Sequence, residues 1–144
     1  MLVQQILKSK GDTGVVTVTP DTVVQDAAKI LAEKSIGTVV ISASGNTADG
    51  ILSERDIVRE LARCGTPCME DTVSNLMTAK PVCCSLNDSA DTVLAKMTEG
   101  RFRHMPVVEN GEMVGLVTLG DVVKARLSEL AMEKDALQGM IMGH

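Results

Sequence analysis

A seven-residue unit occurs twice in this chain. Gly50-Ile51-Leu52-Ser53-Glu54-Arg55-Asp56 and Gly115-Leu116-Val117-Thr118-Leu119-Gly120-Asp121 both read glycine, two aliphatics, a hydroxyl residue, two variable residues and aspartate. Matching positions stand 65 residues apart (115 − 50, 118 − 53, 121 − 56). A unit repeated at a fixed offset predicts an internally duplicated fold, and this limits the architecture before any propensity is weighed.

Glycine followed by two aliphatics reads as a short buried strand. A hydroxyl residue with an acid three positions on marks a helix start, the hydroxyl capping a free backbone N–H and the acid lying in the first turn. The unit is therefore strand, tight junction and helix N-terminus. Such a junction offers unpaired N–H groups and the positive end of a helix dipole, which suits a phosphate. An aspartate not consumed as a cap can accept from the paired hydroxyls of a ribose, by analogy with the acid of dinucleotide folds. Taken singly, Ser53…Asp56 and Thr118…Asp121 read more readily as capping boxes alone. Duplication of the whole unit weighs against that bland reading.

The length of 144 residues is that of one ordinary domain, and 44% apolar residues suffice for a core. With one Phe and no Trp or Tyr, that core must be Val, Ile, Leu, Ala and Met. The net charge of −5, with no basic run and no aromatic platforms, argues against nucleic-acid polymers as partners. No apolar run approaches the ~18 residues of a membrane span, and no signal peptide is visible, so no membrane association and a cytoplasmic location are expected. Cys64-x3-Cys68 and the adjacent Cys83 and Cys84 do not match a usual zinc spacing, and two histidines add little. They read as structural or incidental thiols, with no metal site and no disulfide expected.

The remaining pattern follows the repeat. Residues 1–14 are a short apolar-polar lead ending in the loop 10–14. Val15–Val18 reads as a strand, and Thr22-x-x-Gln25 as a capping box. Val24, Ala27, Ala28 and Leu31 predict an amphipathic helix to about Lys34. Ile36–Ile41 is a β-branched strand, Ser42–Asp49 its turn, and the first unit opens a helix to about Arg63 that buries Ile57, Val58 and Leu61. A linker follows, with a helical turn at Val73–Met77. Then the pattern restarts. Val82–Ser85 is a strand, and Ser89 begins a helix whose stripe Ala90, Val93, Leu94 and Met97 lies 66 beyond its counterparts (90 − 24, 93 − 27, 94 − 28, 97 − 31). Phe102–Val108 is a strand, Asn110-Gly111 a hairpin turn, and Met113–Val117 the return. The offset falls from 66 to 65 across this hairpin, so the first turn carries one extra residue.

Each half is thus β-α-β-β-α, and a unit of about 60 residues would be marginal alone. The expected fold is of the α/β (α+β) class: two repeats packed about a pseudo-twofold axis, with two related sites in the groove. The expected divisions are 1–66 for the first repeat with its lead, 67–81 for a linker, 82–128 for the second repeat and 129–144 for a helical extension. In the last helix, from about Leu119 to Gln138, the series Val123, Leu127, Leu130, Leu137 and Ile141 keeps roughly heptad spacing, interrupted by Lys134. It fits either packing on the parent domain or a dimer seam. Met140, Ile141 and Met142 make the end more apolar than a free tail needs.

Over about residues 3–127 the sequence resembles a tandem pair of CBS domains, the cystathionine-β-synthase-type repeat that forms a Bateman module. The carriers are the two seven-residue units and the strand Arg103-His104-Met105-Pro106-Val107-Val108, which is similar to the basic-x-Leu-Pro-Val-Val strand of that family. The resemblance implies two repeats forming one module, modules associating as a homodimer, and clefts that bind AMP, ADP, ATP, S-adenosylmethionine or NAD(H). It implies that Ser53 and Thr118 contact phosphate or ribose and that Asp56 and Asp121 hold ribose hydroxyls. Adenine would meet backbone near Ile36–Val39, including Thr38, and near Phe102–Pro106, including Met105. Thr17 is a further candidate.

The halves are not equal. Arg101, Arg103 and His104 stand where the first repeat has Ser35, Gly37 and Thr38, and Arg55 stands where the second unit has Gly120. Two unlike sites are expected, with Arg103 as the best phosphate partner because guanidinium grips phosphate in bidentate fashion; the alternative for Arg101 and Arg103 is a solvated strand edge. The function expected is a non-catalytic sensor of energy or redox state that acts on itself or on a separate protein. No nucleophile, base pair or catalytic residue set is visible. The alternatives are a structural dimerisation module without ligand, or an accessory subunit of a nucleotide-metabolism enzyme such as inosine-monophosphate dehydrogenase.

Overall fold

A computed structural model describes residues 1–11 and 14–141. Asp12 and Thr13 of the expected loop, with Met142 and His144 at the end, lie outside the described residues. The elements in order are α1 (Val3–Lys10), β1 (Thr17–Val18), α2 (Val24–Lys34), β2 (Thr38–Ile41), β3 (Gly50–Ser53), α3 (Glu54–Cys64), a 3-10 turn (Thr66–Glu70), α4 (Val73–Leu76), β4 (Thr78–Ala79), α5 (Ala90–Gly100), β5 (His104–Glu109), β6 (Glu112–Thr118) and α6 (Leu119–Ile141).

The duplication is realised in the ladders. β1 runs parallel to β2, β2 pairs antiparallel with β3, and β3 pairs antiparallel with β4. The second half has the β5–β6 hairpin, and Cys84 bridges Val107 in parallel. That bridge repeats Val18↔Ile41 at 66 residues (84 − 18, 107 − 41). The strand expected over Val82–Ser85 therefore shrinks to one residue. Pro81 just before it has no N–H to give a ladder. At the hairpin, Asn110 (φ 52) and Gly111 (φ 80) form the tight turn. The first turn, one residue longer, is organised by the Ser42 hydroxyl, which accepts from the N–H of Gly45 and Thr47.

Each half has its own core. Val24, Ala27, Leu31, Val39, Ile41, Leu52 and Ile57 pack in one; Ala90, Val93, Met97, Met105, Val107, Val117 and Val122 occupy the same places in the other. The lead segments are exchanged between halves. The lead forms α1, and Val3 and Ile6 of α1 pack in the second core, whereas Val73 of α4 packs in the first. The backbone repeats this exchange: Ala90 N–H donates to Met1 O and Val3 N–H to Asp88 O, while Val24 N–H donates to Asp71 O and Val73 N–H to Thr22 O. The helix starts one residue later than a Thr22–Gln25 box implies: Val23 is the N-cap, Thr22 N–H donates to Thr19 O, and no side-chain cap forms at α2. Glycine at the repeated position admits the exchanged lead. A Cβ at Gly115 would meet the Leu7 Cδ atoms at 2.8 and 2.9 Å, and one at Gly50 would collide with Met77 Sδ.

One further expectation is corrected, and one of the two alternatives for the last helix is removed. Val58 is 63% exposed, because Ile57 and Leu61, four residues apart, take the buried face of α3 and Val58 turns away. The C-terminal helix does not lay its apolar series on the parent domain. Leu127, Leu130, Leu137 and Ile141 are all exposed, and only Val122 and Ala125 are buried.

Candidate functional site

The equivalent residues Thr38 and His104 (104 − 38 = 66) touch each other, Thr38 Oγ1 lying 3.1 Å from His104 Nδ1. Equivalent positions in mutual contact mark the pseudo-twofold axis. On either side of this contact lies a cleft, and Gly37 and His104 line both.

The first cleft, about 880 Å³, is walled by Lys8, Lys10, Gly14, Val16, Ile36, Thr38 and Thr118 among others. The second, about 450 Å³, is walled by Ser53, Arg55, Asp56, Thr78, Lys80, Arg101 and Arg103 among others. Each cleft therefore takes the strand-to-helix tip of one half and the lead and first hairpin strand of the other. The sequence assigned the tips to separate sites but did not show which lead each would face.

At the α3 tip, Ser53 N–H donates to Asp56 Oδ2 at 2.8 Å, and Asp56 N–H donates to Ser53 Oγ at 3.2 Å. The Ser53 hydroxyl gives its proton to the same Asp56 oxygen at 3.0 Å. Asp56 Oδ1 is left with a long contact of 3.4 Å to Arg59. The α6 tip has the same reciprocal cap: Thr118 N–H donates to Asp121 Oδ2 at 2.9 Å and Asp121 N–H to Thr118 Oγ1 at 3.1 Å. Here a lysine joins it. Lys10 Nζ, at the end of α1, lies 2.8 Å from Asp121 Oδ2 and donates to Leu116 O at 2.9 Å. Burial by itself pushes the Asp121 carboxyl up, but Lys10 and the Thr118 N–H outweigh it and the net shift is downward. His104 shifts down as well, through burial first and the nearby Lys10 second, with Asp121 opposing. Both effects favour the uncharged ring.

Both caps are thus real, and they do not exhaust the tips: Ser53, Asp56 and Thr118 all line clefts while capping. Of the other sequence candidates, Arg55, Arg101, Arg103 and His104 line the second cleft, and Ile36, Thr38 and His104 the first. Arg55 and the Arg101–Arg103 pair, read from different repeats, meet in one cleft. Thr17 pairs with Val40 in β1, and its neighbours Val15 and Val16 line the first cleft in its place. Met105 and Pro106 are buried in β5, paired with Val117 and Leu116, and line neither cleft. Asp121 reaches the first cleft through Lys10 and Thr118. Lys10, Lys80 and Arg59 were not singled out from the sequence. The signal for Lys80 was its place in a lead equivalent to that of Gly14 (80 − 14 = 66).

Comparison with known proteins matches the same halves. The CBS domain family model matches residues 10–63 and again 73–128. The crystal structure of the CBS-domain containing protein ATU1752 from Agrobacterium tumefaciens is 42% identical, superposes with a TM-score of 0.82, and covers 88% of this chain and 99% of that one. CBSX2, crystallised in complex with AMP, is 29% identical with a TM-score of 0.67, covering 79% of this chain and 88% of that one. The mitochondrial CBS domain-containing protein CBSX3 of Arabidopsis thaliana is 30% identical over 98% of this chain and 72% of its own length. The chain spans only 23% and 22% of the length of other Arabidopsis relatives it matches. With the duplicated strand-to-helix tips, exchanged leads and paired clefts, these matches show that the chain belongs to the CBS domain family, as a tandem pair.

Proposed function

We propose that this chain is a non-catalytic regulatory module that binds an adenosine nucleotide in the clefts beside the pseudo-twofold axis. One observation carries the reading. Each cleft sets a capped helix tip, with its hydroxyl and acid, opposite a strand and lead from the other half. A ligand held there bridges the halves and favours the arrangement that grips it, which is how a binding event becomes a signal. The AMP bound by CBSX2 supports adenosine chemistry. AMP, ADP and ATP fit the reading, with NAD(H) as a further member of the same class.

In this reading Ser53, Asp56, Thr118 and Asp121 hold ribose and phosphate, Arg55, Arg101 and Arg103 meet phosphate, and backbone near Ile36–Thr38 and Phe102–His104 meets adenine. No helix among the described residues is long and apolar enough to cross a membrane. A cytoplasmic module that pairs as a homodimer through α6 and regulates a separate protein completes the reading. The exposed row on α6 supports the pairing. It also favours the second reading, a dimerisation module without ligand or an accessory subunit of an enzyme such as inosine-monophosphate dehydrogenase.

Thermal melting of the purified chain with AMP, ATP and NADH separates the two. A ligand at 100 times its Kd adds about 2.7 kcal/mol to the folded state, which for a chain of this size raises Tm by roughly 8 °C. No rise with any of the three, together with Asp56→Ala and Asp121→Ala variants that change only basal stability, overturns the sensor reading.

A further inference from the structure

The second cleft gathers cations out of proportion to the chain. Arg55 and Arg59 come from α3, Lys80 from the second lead, and Arg101 and Arg103 from the α5–β5 junction. Against these five stand two lining acids, Glu54 and Asp56, a balance of +3 (5 − 2) in a chain whose net charge is −5. Of these five, among the described residues, only Arg59 reaches a carboxylate, that of Asp56 at 3.4 Å. Arg55, Lys80, Arg101 and Arg103 make no ion pair. The first cleft is lined by Lys8 and Lys10 alone among cations, and Lys10 is already held by Asp121.

The backbone adds a second, independent observation. Lys80 (φ 51) and Arg101 (φ 56) both hold the left-handed conformation that glycine or asparagine adopts more cheaply. Arg101 caps α5 as Ser35 (φ 53) caps α2, so the fold requires this conformation in both halves. Only in the half facing the second cleft is it filled by a long cation. Strained positions that persist with costly residues point to function at that place.

We propose that the second cleft reads the length of a phosphate chain, selecting a nucleoside di- or triphosphate over the monophosphate, while the first cleft takes the less charged ligand. This rests on the adenosine reading above for the nucleoside part and on the cation cluster alone for the polyphosphate part. The four uncommitted cations are all exposed and arrive from three elements, so a single phosphate need not reach them all. A chain of two or three phosphates can reach more of them, and guanidinium groups grip such oxygens in pairs. A cleft lined by one sign of charge also concentrates polyanions from solution. Arg55 and Lys80 are the residues assigned to the distal phosphates, since Arg103 lies beside the His104 wall nearest the axis.

The test is calorimetric titration of the full chain with adenosine, AMP, ADP, ATP and inorganic tripolyphosphate, without magnesium, at low and high salt. ATP is expected to bind at least about tenfold tighter than AMP, the worth of one charge-assisted contact, with the steeper salt dependence. Lys80→Asn, which keeps the left-handed backbone, and Arg55→Gln should each lower the ATP-to-AMP preference by roughly threefold to tenfold. Lys29→Gln, on the exposed face of α2, should leave that preference where it was. Equal affinity for AMP and ATP, or a preference indifferent to both cleft variants, overturns the inference while leaving the adenosine reading intact. Tripolyphosphate binding that depends on Lys80, with no binding of any adenosine compound, supports the polyphosphate cleft and sinks the adenosine reading. Absence of binding by all five sinks both.

Discussion

Replacing Gly115 by alanine tests the exchange of lead segments directly. Gly115 is buried in β6, its backbone outside the left-handed region, so alanine suits the main chain. The obstacle is Leu7 of α1, whose Cδ1, Cδ2 and Cγ would lie 2.8, 2.9 and 3.4 Å from the new methyl. Overpacking of this kind costs about 1–3 kcal/mol. Glycine-to-alanine exchange also narrows the unfolded ensemble, which returns about 0.4–1 kcal/mol. The net expectation is a loss near 1 kcal/mol, a fall in Tm of roughly 3 °C for a chain of this size. In a Leu7→Ala background the obstacle is gone and only the unfolded-state effect remains. The same Gly115→Ala change should then be neutral or stabilising by about 0.5 kcal/mol. Equilibrium urea unfolding of the wild type, both single variants and the double variant supplies the cycle. Additive effects of the two changes would show that α1 does not pack on the second half, and the assignment of leads to clefts would go with it.

Asp121 has a lowered pKa, so its contribution to stability is present above the ordinary carboxylate value and drains away as pH falls through the lowered one; Asp121→Asn should flatten the loss of stability in melts from pH 5 downward, whereas an unchanged acid limb would refute the Lys10 pairing. Burial, with Asp88 and Cys83 adding to it, pushes the Cys84 thiol up to about 12, so at pH 8 a thiol reagent should label exposed Cys64 quickly and leave Cys84 unlabelled until the chain unfolds, as peptide mass mapping would read. Leu130→Glu on the exposed row of α6 should shift the proposed homodimer toward monomer in sedimentation while leaving the stability of the protomer within about 0.5 kcal/mol of the wild type, because the side chain is nearly half exposed already; an oligomeric state untouched by the change refutes pairing through this row.

The doubled architecture was legible because both kinds of signal recur at one offset. The stripe Val24, Ala27, Leu31 and its copy Ala90, Val93, Met97 is buried as its period implies. The hydroxyl–acid spacing marks both helix tips. What the residues did not declare is which lead serves which half. That choice is a long-range one, made by Val3 and Ile6 finding the second core, and periodicity within a segment holds no information on it. For the same reason Lys10 went unnoticed as the partner of Asp121, a residue 111 positions away (121 − 10). The Thr22–Gln25 box was locally sound but is displaced by one residue: Asp71 O holds the N–H of Val24, Val23 becomes the N-cap, and Thr22 N–H turns back to Thr19 O. Thr17, Met105 and Pro106 are adjacent in sequence to cleft residues, but Thr17 is paired in β1, and Met105 and Pro106 lie in a stretch of β5 buried on both faces.

The contact between Thr38 and His104 has a consequence for how the two cavities behave. They share a partition only one residue pair thick, built from Gly37, Thr38 and His104. A guest that pushes this partition enlarges its own chamber at its neighbour's expense, and one that draws it inward does the reverse. Any coupling carried through this shared wall would, by thermodynamic reciprocity, be equal in both directions.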